Sequence, residues 1–251
     1  MDNDFRYKFI PPDSSLAQFV ERIGMFQNSS YESKEVVIIP DGRIDLFFSR
    51  TKNSNFQVWL MGLETAPKQR SIQPGTLTFS ISFKPLGVDY LLPVSIAAFL
   101  NSAQQMPDDF WGFSANDLND FDAFYQKANQ KMRQLLPAAI DERKVKLFEL
   151  MYASNGETTV KELSEKAFWS SRQINRYFNQ HLGLSLKMFC KILRFRASLE
   201  HVAHGQLYPE LNFTDQTHFI KNIKQFSGVV PKELSKNKND RFVLLSVLKD
   251  K

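Results

Sequence analysis

The spacing of hydrophobic residues changes along the chain, and this change limits the fold more than any other feature. In residues 76–84 apolar and hydroxyl side chains alternate without interruption, and one face carries Leu77, Phe79, Ile81 and Phe83. A period of two is typical of a strand with one buried face. Beyond residue 137 apolar residues instead recur at steps of three and four, which is typical of helices. The sequence therefore predicts an α+β chain, with a β-rich half followed by an all-α half.

The first hundred residues contain further strand signals. Residues 36–39 form a short apolar run, and Pro40-Asp-Gly42 has the composition of a turn. Alternation then resumes in residues 44–48, and residues 56–61 suit another strand. Several short strands separated by turn residues predict a barrel or sandwich, so we expect a barrel-like N-terminal domain.

Two helical segments follow this β-rich region. Residues 88–101 have a helical pattern that Pro93 interrupts, and residues 116–135 carry an apolar stripe at steps of three and four. The stripe either covers the domain's own sheet or forms a homodimer interface, and the sequence leaves both interpretations open. Pro137 ends the helix, so we expect a regulatory or dimerisation domain in residues 1–136 and a second domain in residues 137–251.

Charge is unevenly distributed between these two parts. Residues 1–136 hold 13 Lys/Arg and 15 Asp/Glu, whereas residues 137–251 hold 19 and 12. The basic part is the one expected to meet a polyanion. No apolar stretch is long enough for a membrane span, the first residues do not resemble a signal peptide, and Cys190 is the one cysteine. We therefore expect a cytoplasmic protein that does not bind a membrane.

The basic part begins with a pattern of two short helices joined by a turn. Thr159 and Glu162 have the spacing of a capping box, and Ser170 is suited to cap a second helix. If Ile174 and Phe178 face inward, the polar side chains between them face outward; these are Arg172, Gln173, Asn175 and Arg176. A short helix, a tight turn and a second helix that exposes Arg and Asn form a unit that enters the major groove of DNA.

A second unit of the same kind follows a long helix over residues 186–202. Asp215 is a candidate N-cap, and Phe219 and Ile223 are expected to face inward. Gly228 and Pro231 mark the end of this helix and the start of the next. The outward set comprises Gln216, Thr217, His218, Ile220 and Lys221.

These motifs together resemble the DNA-binding domain of the AraC/XylS family of transcription regulators. The first half is carried by Ser170-Ser-Arg-Gln-Ile-Asn-Arg-Tyr-Phe178, Gly183-Leu-Ser185 and Arg194-Phe-Arg-Ala197. The second half is carried by Asn212-Phe-Thr-Asp-Gln-Thr-His-Phe-Ile-Lys221, Gln225-Phe226 and Gly228-Val-Val-Pro231. The match covers about residues 145–234, and residues 5–113 resemble the small β-rich domain of one branch of the family.

The resemblance implies a bi-lobed helical domain that binds double-stranded DNA, with two recognition helices in successive major-groove segments. The base-reading positions of the family fall on Arg172, Asn175, Arg176, Gln216, Thr217, His218, Ile220 and Lys221. We expect contacts to the DNA backbone from Ser171, Lys187, Lys191, Arg194 and Lys224.

The sequence departs from the family pattern in three places. Leu186 stands where the family usually has Pro, and Asn212 replaces the usual Gly. Residues 203–211 are also several residues too short for a complete first helix of the second unit, and they include Gly205 and Pro209. The alternative is therefore a ligand-binding or protein-interaction module whose DNA-reading half is degenerate.

Enzymatic chemistry is not indicated. Residues 1–180 contain no histidine or cysteine, which excludes the three-histidine metal site of cupin enzymes from the β-rich domain. No nucleophile elbow or phosphate-binding glycine loop occurs, and Cys190 is more simply a packed residue. We expect no enzyme activity, catalytic residue, cofactor or metal. A small-molecule effector of unknown identity is left open: Arg43, Trp59, Phe79 and Phe83 either line its pocket or belong to the core, and the core is favoured.

Overall fold

The computed structural model describes residues 4–52, 55–92, 94–207 and 216–249. Contacts divide the chain into two compact units. The sheet unit comprises Met1–Lys34, Arg43–Leu63 and Ser71–Ile140, and the helical unit comprises Glu35–Gly42, Glu64–Arg70 and Asp141–Lys251. Two short segments of the N-terminal half, Glu35–Gly42 and Glu64–Arg70, are therefore part of the helical unit; we call them the inserted segments.

Eight strands form in the described residues: β1 (Phe5–Ile10), β2 (Val20–Asn28), β3 (Lys34–Ile38), β4 (Ile44–Arg50), β5 (Gln57–Met61), β6 (Lys68–Ile72), β7 (Leu77–Phe83) and β8 (Ala103–Met106). β3 and β6 pair with each other. The other six form one sheet in the order β1-β2-β7-β4-β5-β8, in which every neighbouring pair is antiparallel. The predicted β-rich half followed by a helical half is thus confirmed.

The predicted barrel-like domain is not a closed barrel, because the described six-stranded sheet is open between its edge strands β1 and β8. Two helices accompany it, α1 (Pro85–Leu91) and α2 (Phe121–Leu135). Phe124 of α2 lies 5.3 Å from Phe48 and 5.0 Å from Phe79, measured between ring centroids. Because α2 completes the core on this face of the sheet, the apolar face is buried without a second wall of strands.

β7 was predicted as a half-buried strand, but both of its faces are buried. Its hydroxyl-bearing residues Thr78, Ser80 and Ser82 are all 2% exposed or less. Thr78 shares a 2.7 Å hydrogen bond with Ser49, and Ser82 donates one to Asp45. The small hydroxyl side chains therefore find partners on a neighbouring strand, which makes their burial tolerable.

The apolar stripe of residues 116–135 packs inside the sheet unit. α2 begins only at Phe121, because the carboxylate of Asp120 accepts hydrogen bonds from the next backbone N–H groups. Leu118, Ala128 and Met132 of the stripe are buried, which favours the interpretation that the stripe covers the sheet. The homodimer interface stays a prediction, and Pro93 lies outside the described residues.

The described part of the helical unit contains α3 (Glu142–Ala153), α4 (Val160–Lys166), α5 (Ser171–Tyr177), α6 (Leu186–Ala203), α7 (Gln216–Ser227), α8 (Pro231–Lys236) and α9 (Val243–Lys249). The long helix α6 connects two lobes. Phe189 near its start packs with Phe148 and Phe178 in the first lobe. Ile192 and Phe195 belong to a second cluster with α7, α8 and α9.

One inserted segment contributes to the core of the second lobe. Ile39 is 4% exposed and belongs to the same buried cluster as Phe195, Phe226 and Leu245. The backbone N–H of Val37 donates a 2.7 Å hydrogen bond to the carbonyl of Arg241, just before α9. Within the run of residues 36–39, the first three residues lie in β3, and Ile39 directly after the strand completes a helical core.

Candidate nucleic-acid interface

The start of α5 is fixed by a reciprocal capping box. Ser170 Oγ accepts a hydrogen bond from the backbone N–H of Gln173 at 3.3 Å. Gln173 Oε1 in turn accepts hydrogen bonds from the Ser170 N–H at 3.2 Å and from its hydroxyl at 2.7 Å. This arrangement satisfies backbone donors at the helix start and sets its direction. The same role engages the side chain of Gln173, which the sequence had placed among the outward polar residues.

Aromatic packing holds the inner side of α5. Ile174 and Tyr177 are buried, and the Tyr177 ring lies 5.3 Å from that of Trp169. Lys144 Nζ of α3 lies 4.8 Å from the centroid of the Tyr177 ring. The helix continues as one π-helical turn, Phe178–Leu182, which ends at Gly183 with a φ of 74°. Both ends of this helical segment are thus fixed.

Arg172 and Arg176 form the exposed cationic face of α5. They are four residues apart and therefore lie on the same side of the helix. In the described part of the chain neither guanidinium has a hydrogen-bond or ion-pair partner. By contrast, Arg143 is paired with Asp141 at 2.8 Å and Arg241 with Glu233 at 2.8 Å. These two arginines therefore remain available for an external anion.

Asn175 is less available than the sequence suggests. Its side chain is half-buried, and Nδ2 donates a 2.9 Å hydrogen bond to the carbonyl of Ser171 one turn earlier. Ser171 itself is half-buried. A bidentate contact with adenine needs one amide donor and the amide oxygen together. Asn175 still has Oδ1 and one N–H available for such a contact. To direct both towards a base, its side chain must first break the hydrogen bond to Ser171.

The residues of α6 that were predicted to contact the DNA backbone lie on one side of that helix, four and three residues apart. Lys187 is exposed, and Lys191 and Arg194 are half-buried. Within the described residues Lys187 and Lys191 have no ion-pair partner, and Arg194 Nε is buried without a hydrogen-bond partner. Cys190 is also buried, which raises the pKa of its thiol to about 11, so it is a packed residue and not an activated nucleophile.

The α7 helix carries the second set of residues that were predicted to contact DNA. Gln216, Thr217, His218 and Lys221 are exposed, as is Lys224. Ile220 is half-buried and packs against the core cluster of the second lobe, so it is partly engaged within the protein. Phe219 and Ile223 are buried, as predicted. The candidate N-cap Asp215 lies outside the described residues.

The segment between α6 and α7 contains no helix in its described part, which comprises residues 204–207. A complete two-helix unit needs a first helix here to support α7. Residues 208–215 lie outside the described residues.

The histidines of this region are engaged locally. His201 Nδ1 lies 2.8 Å from Gln206 Oε1, and His204 Nδ1 lies 2.8 Å from the carbonyl oxygen of Glu200. The described residues hold no group of three or more His, Cys, Asp or Glu that could bind a metal ion. They also include no helix that is long and apolar enough to cross a membrane.

The residues considered for an effector pocket belong mainly to the core. Phe79 and Phe83 are 3% and 0% exposed, which agrees with the favoured interpretation. Arg43 is buried as well, and Trp59 is half-buried on β5. Burial of Phe79 and Phe83 therefore favours the interpretation that they belong to the core.

The sequence predicts a turn at Phe168-Trp169, but it does not show that Phe168 has a left-handed backbone. Phe168 lies between α4 and α5, it has a φ of 51°, and its side chain is 89% exposed. A bulky residue in the left-handed region is strained, and small residues such as Gly or Asn usually occupy such turns. Nothing in the local sequence pattern marks this position as left-handed.

Comparisons with known proteins give one partial family match and several distant structures. Residues 8–105 match a family model described as a domain of unknown function, DUF6597. No curated protein matches the chain. An apo variant of ToxT from Vibrio cholerae strain SCE256 is 11% identical, with a TM-score of 0.44, over 94% of this chain and 98% of that one. ToxT from Vibrio cholerae O395 bound to (E)-4-(8-methylnaphthalen-1-yl)but-3-enoic acid is 12% identical, with a TM-score of 0.43, over 97% of this chain and 100% of that one.

Proposed function

We propose that this protein is a sequence-specific, double-stranded-DNA-binding transcription regulator of the AraC/XylS type. In this proposal α4 and α5 form one helix-turn-helix unit, and α7 is the recognition helix of a second. The observation that carries the proposal is the pair of exposed, unpartnered arginines on α5, Arg172 and Arg176. Arginine forms bidentate hydrogen bonds with guanine, so two such side chains on one helix face suit a major groove.

Base reading and backbone contact are assigned to different helices in this proposal. Arg172 and Arg176 read bases from α5, and Asn175 contributes once its amide is released from Ser171. Lys187, Lys191 and Arg194 on α6 and Lys224 on α7 contact phosphates. Phosphate contacts supply affinity that falls with salt, whereas base contacts supply sequence preference.

The experiment compares two variants on two kinds of DNA. Duplexes bound by the wild-type protein are first selected from a random pool, and affinities are then measured for a selected and a scrambled duplex. We expect Arg172→Ala to weaken the binding free energy by about 1–3 kcal/mol on the selected duplex and to leave the scrambled duplex unaffected. We expect Lys187→Ala to weaken both duplexes similarly and to reduce the slope of affinity against salt concentration by about one.

Arg143→Ala is the matched control, because its charge is already neutralised by Asp141. It should leave both affinities nearly unchanged. The assigned roles are wrong if Arg172→Ala and Lys187→Ala act alike on the selected and scrambled duplexes.

The N-terminal part, residues 1–136, is proposed to regulate or dimerise the DNA-binding part, residues 137–251. Self-association through residues 116–135 has less apolar surface to use than the sequence suggests, because Phe124, Ala128 and Met132 are already buried. Light scattering at micromolar concentration tests it: a monomeric mass contradicts it. A regulator of this kind acts in the cytoplasm, which is the location we propose.

A second candidate function is a ligand-binding or protein-interaction module whose helical half no longer reads DNA. Two observations favour it: residues 203–211 are short for a complete first helix of the second unit, and Ile220 packs partly against the core cluster of the second lobe. Failure of the selection to enrich any duplex at low salt would favour this candidate over the regulator.

A further inference from the structure

The turn between α4 and α5 places two neighbouring aromatic side chains in opposite environments. Trp169 is 8% exposed, and its ring packs against Tyr177 at 5.3 Å. Phe168 is 89% exposed, and within the described residues its ring has no aromatic or cationic neighbour. Its backbone lies in the left-handed region, with a φ of 51°. Phe168 therefore combines an exposed apolar ring with a strained backbone, and neither feature stabilises the folded chain.

Local hydrogen bonds hold this turn in one conformation. The backbone N–H of Trp169 donates a 3.1 Å hydrogen bond to the carbonyl of Ser164, and that of Phe168 donates a 3.4 Å bond to the carbonyl of Glu165. Ser170, which follows Trp169, is the N-cap of α5 and forms its capping box. The exposed Phe168 ring is thus carried by a fixed backbone, so little backbone freedom is lost when it meets a partner.

Phe168 lies next to the exposed cationic face of α5. It precedes the N-cap Ser170 by two residues, and two residues of chain span at most about 7 Å. Arg172 follows in the first turn of the helix and has no partner in the described chain. In a helix-turn-helix unit, the N-terminal residues of the second helix contact base edges. When α5 enters DNA in this way, the Phe168 ring lies at the edge of the same groove.

A neutral apolar ring has one suitable contact with the bases in the major groove. The base edges there present hydrogen-bond donors and acceptors, and their apolar group is the 5-methyl of thymine, which phenylalanine contacts favourably. Phosphate oxygens do not suit the ring, because they take hydrogen bonds from cations and other donors.

We propose that Phe168 contacts the methyl group of a thymine and so adds a second sequence preference beside that of Arg172. This inference rests on the proposed function, because it needs α5 in the major groove. The two residues of chain between Phe168 and Ser170 span about two base-pair steps of 3.4 Å. The thymine therefore lies within about two base pairs of the guanine that Arg172 reads.

Removing the methyl group from the DNA tests the contact. In the duplex selected by the wild-type protein, each thymine is replaced in turn by deoxyuridine, which lacks only the 5-methyl. We expect one replacement to weaken wild-type binding about fourfold, the effect of burying one methyl group, and the others to have little effect. In Phe168→Ala the same replacement should change the affinity less than about twofold, because the ring that contacts the methyl is absent.

Three further measurements separate this contact from a structural role. Phe168→Gly relieves the left-handed strain, so it should lose the sensitivity to the methyl group while the fold is retained. Both Phe168 variants should leave the slope of affinity against salt concentration unchanged, because the ring is neutral, whereas Lys187→Ala reduces that slope. Tyr31→Ala is the matched control: Tyr31 is 97% exposed but lies in the sheet unit, so its removal should leave the sensitivity to the methyl group intact.

The same measurements tell a failure of this inference from a failure of the proposed function. If no duplex is enriched in the selection, both are wrong. If a duplex is enriched but no deoxyuridine replacement weakens wild-type binding, or if Phe168→Ala keeps the full sensitivity, the inference alone is wrong. A loss of affinity in Phe168→Ala that is equal on thymine and deoxyuridine duplexes also overturns it, and assigns the ring to the sugars of the DNA backbone.

Discussion

Replacing Ile39 with alanine should destabilise the helical unit, although Ile39 lies in the N-terminal third of the sequence. Its side chain is 4% exposed and contributes to the cluster that contains Phe195, Phe226 and Leu245. The substitution removes three carbon atoms, which is about 2.4 kcal/mol of transfer free energy at about 0.8 kcal/mol each. The cavity left among these rings adds to this loss, so we expect a total of about 3 kcal/mol.

A loss of this size is a substantial fraction of the stability of a typical domain. Hydrogen exchange followed by mass spectrometry, measured peptide by peptide, shows in which part of the chain stability is lost. Peptides from α6 and α9 should lose protection in Ile39→Ala, because both helices contact the same cluster. Tyr31→Ala is the control, since Tyr31 is 97% exposed and its removal should change stability by less than about 0.5 kcal/mol.

The reasoning is refuted if Ile39→Ala reduces protection only in the strands of the sheet unit. A fragment of residues 141–251 provides a second check, because it lacks both Ile39 and the Val37 hydrogen bond to Arg241. In that fragment α6 and α9 should exchange faster than in the full chain.

Three further predictions concern the elements around α5. Ser170→Ala removes the capping box and should lower the free energy of unfolding by about 1 kcal/mol in urea titrations, whereas Ser14→Ala, at an exposed serine, should not. Phe168→Gly relieves a left-handed backbone at an 89% exposed residue and should raise that free energy by about 1 kcal/mol; no gain would contradict the strain. The pKa of Cys190 is raised from 9.0 to about 11, so its contribution to stability is complete below pH 9 and is lost as the pH rises towards 11. A thiol reagent at pH 8 should therefore label Cys190 only after unfolding, and rapid labelling of the native protein would contradict its burial.

Local signals in the sequence predicted the elements of the first helical lobe well. Each depends on neighbouring residues, such as Thr159 with Glu162, Ser170 with Gln173, and the left-handed Gly183 at the end of the π-helical turn. Capping and chain reversal are determined within a few residues, so a single sequence carries them. The exposure of Arg172 followed from the inward packing of Ile174 for the same reason.

Features that depend on distant partners could not be predicted. The apolar run of residues 36–39 indicates a strand but not that Ile39 packs among helices more than 150 residues away in sequence. Alternation in β7 indicates one apolar face but not that the hydroxyl face is buried as well. Likewise, the hydrogen bond from Asn175 to the Ser171 carbonyl depends on a side-chain conformation that the sequence does not show. The sequence analysis therefore treated Asn175 as fully available to contact a base.

If α5 binds DNA as proposed, the engagement of Gln173 and Asn175 within the helix limits which bases it can recognise. Arg172 and Arg176 remain, and four residues at about 1.5 Å each separate them by about 6 Å along the helix. Base pairs are spaced by about 3.4 Å, so two bidentate contacts from these arginines fall on guanines about two base pairs apart. The selected duplexes should therefore contain two guanines at that spacing, with Arg172→Ala relaxing the preference at one and Arg176→Ala at the other. If selection instead enriches a site without guanine in the segment protected by α5, the two arginines contact phosphates, and the specificity assigned to α5 is wrong.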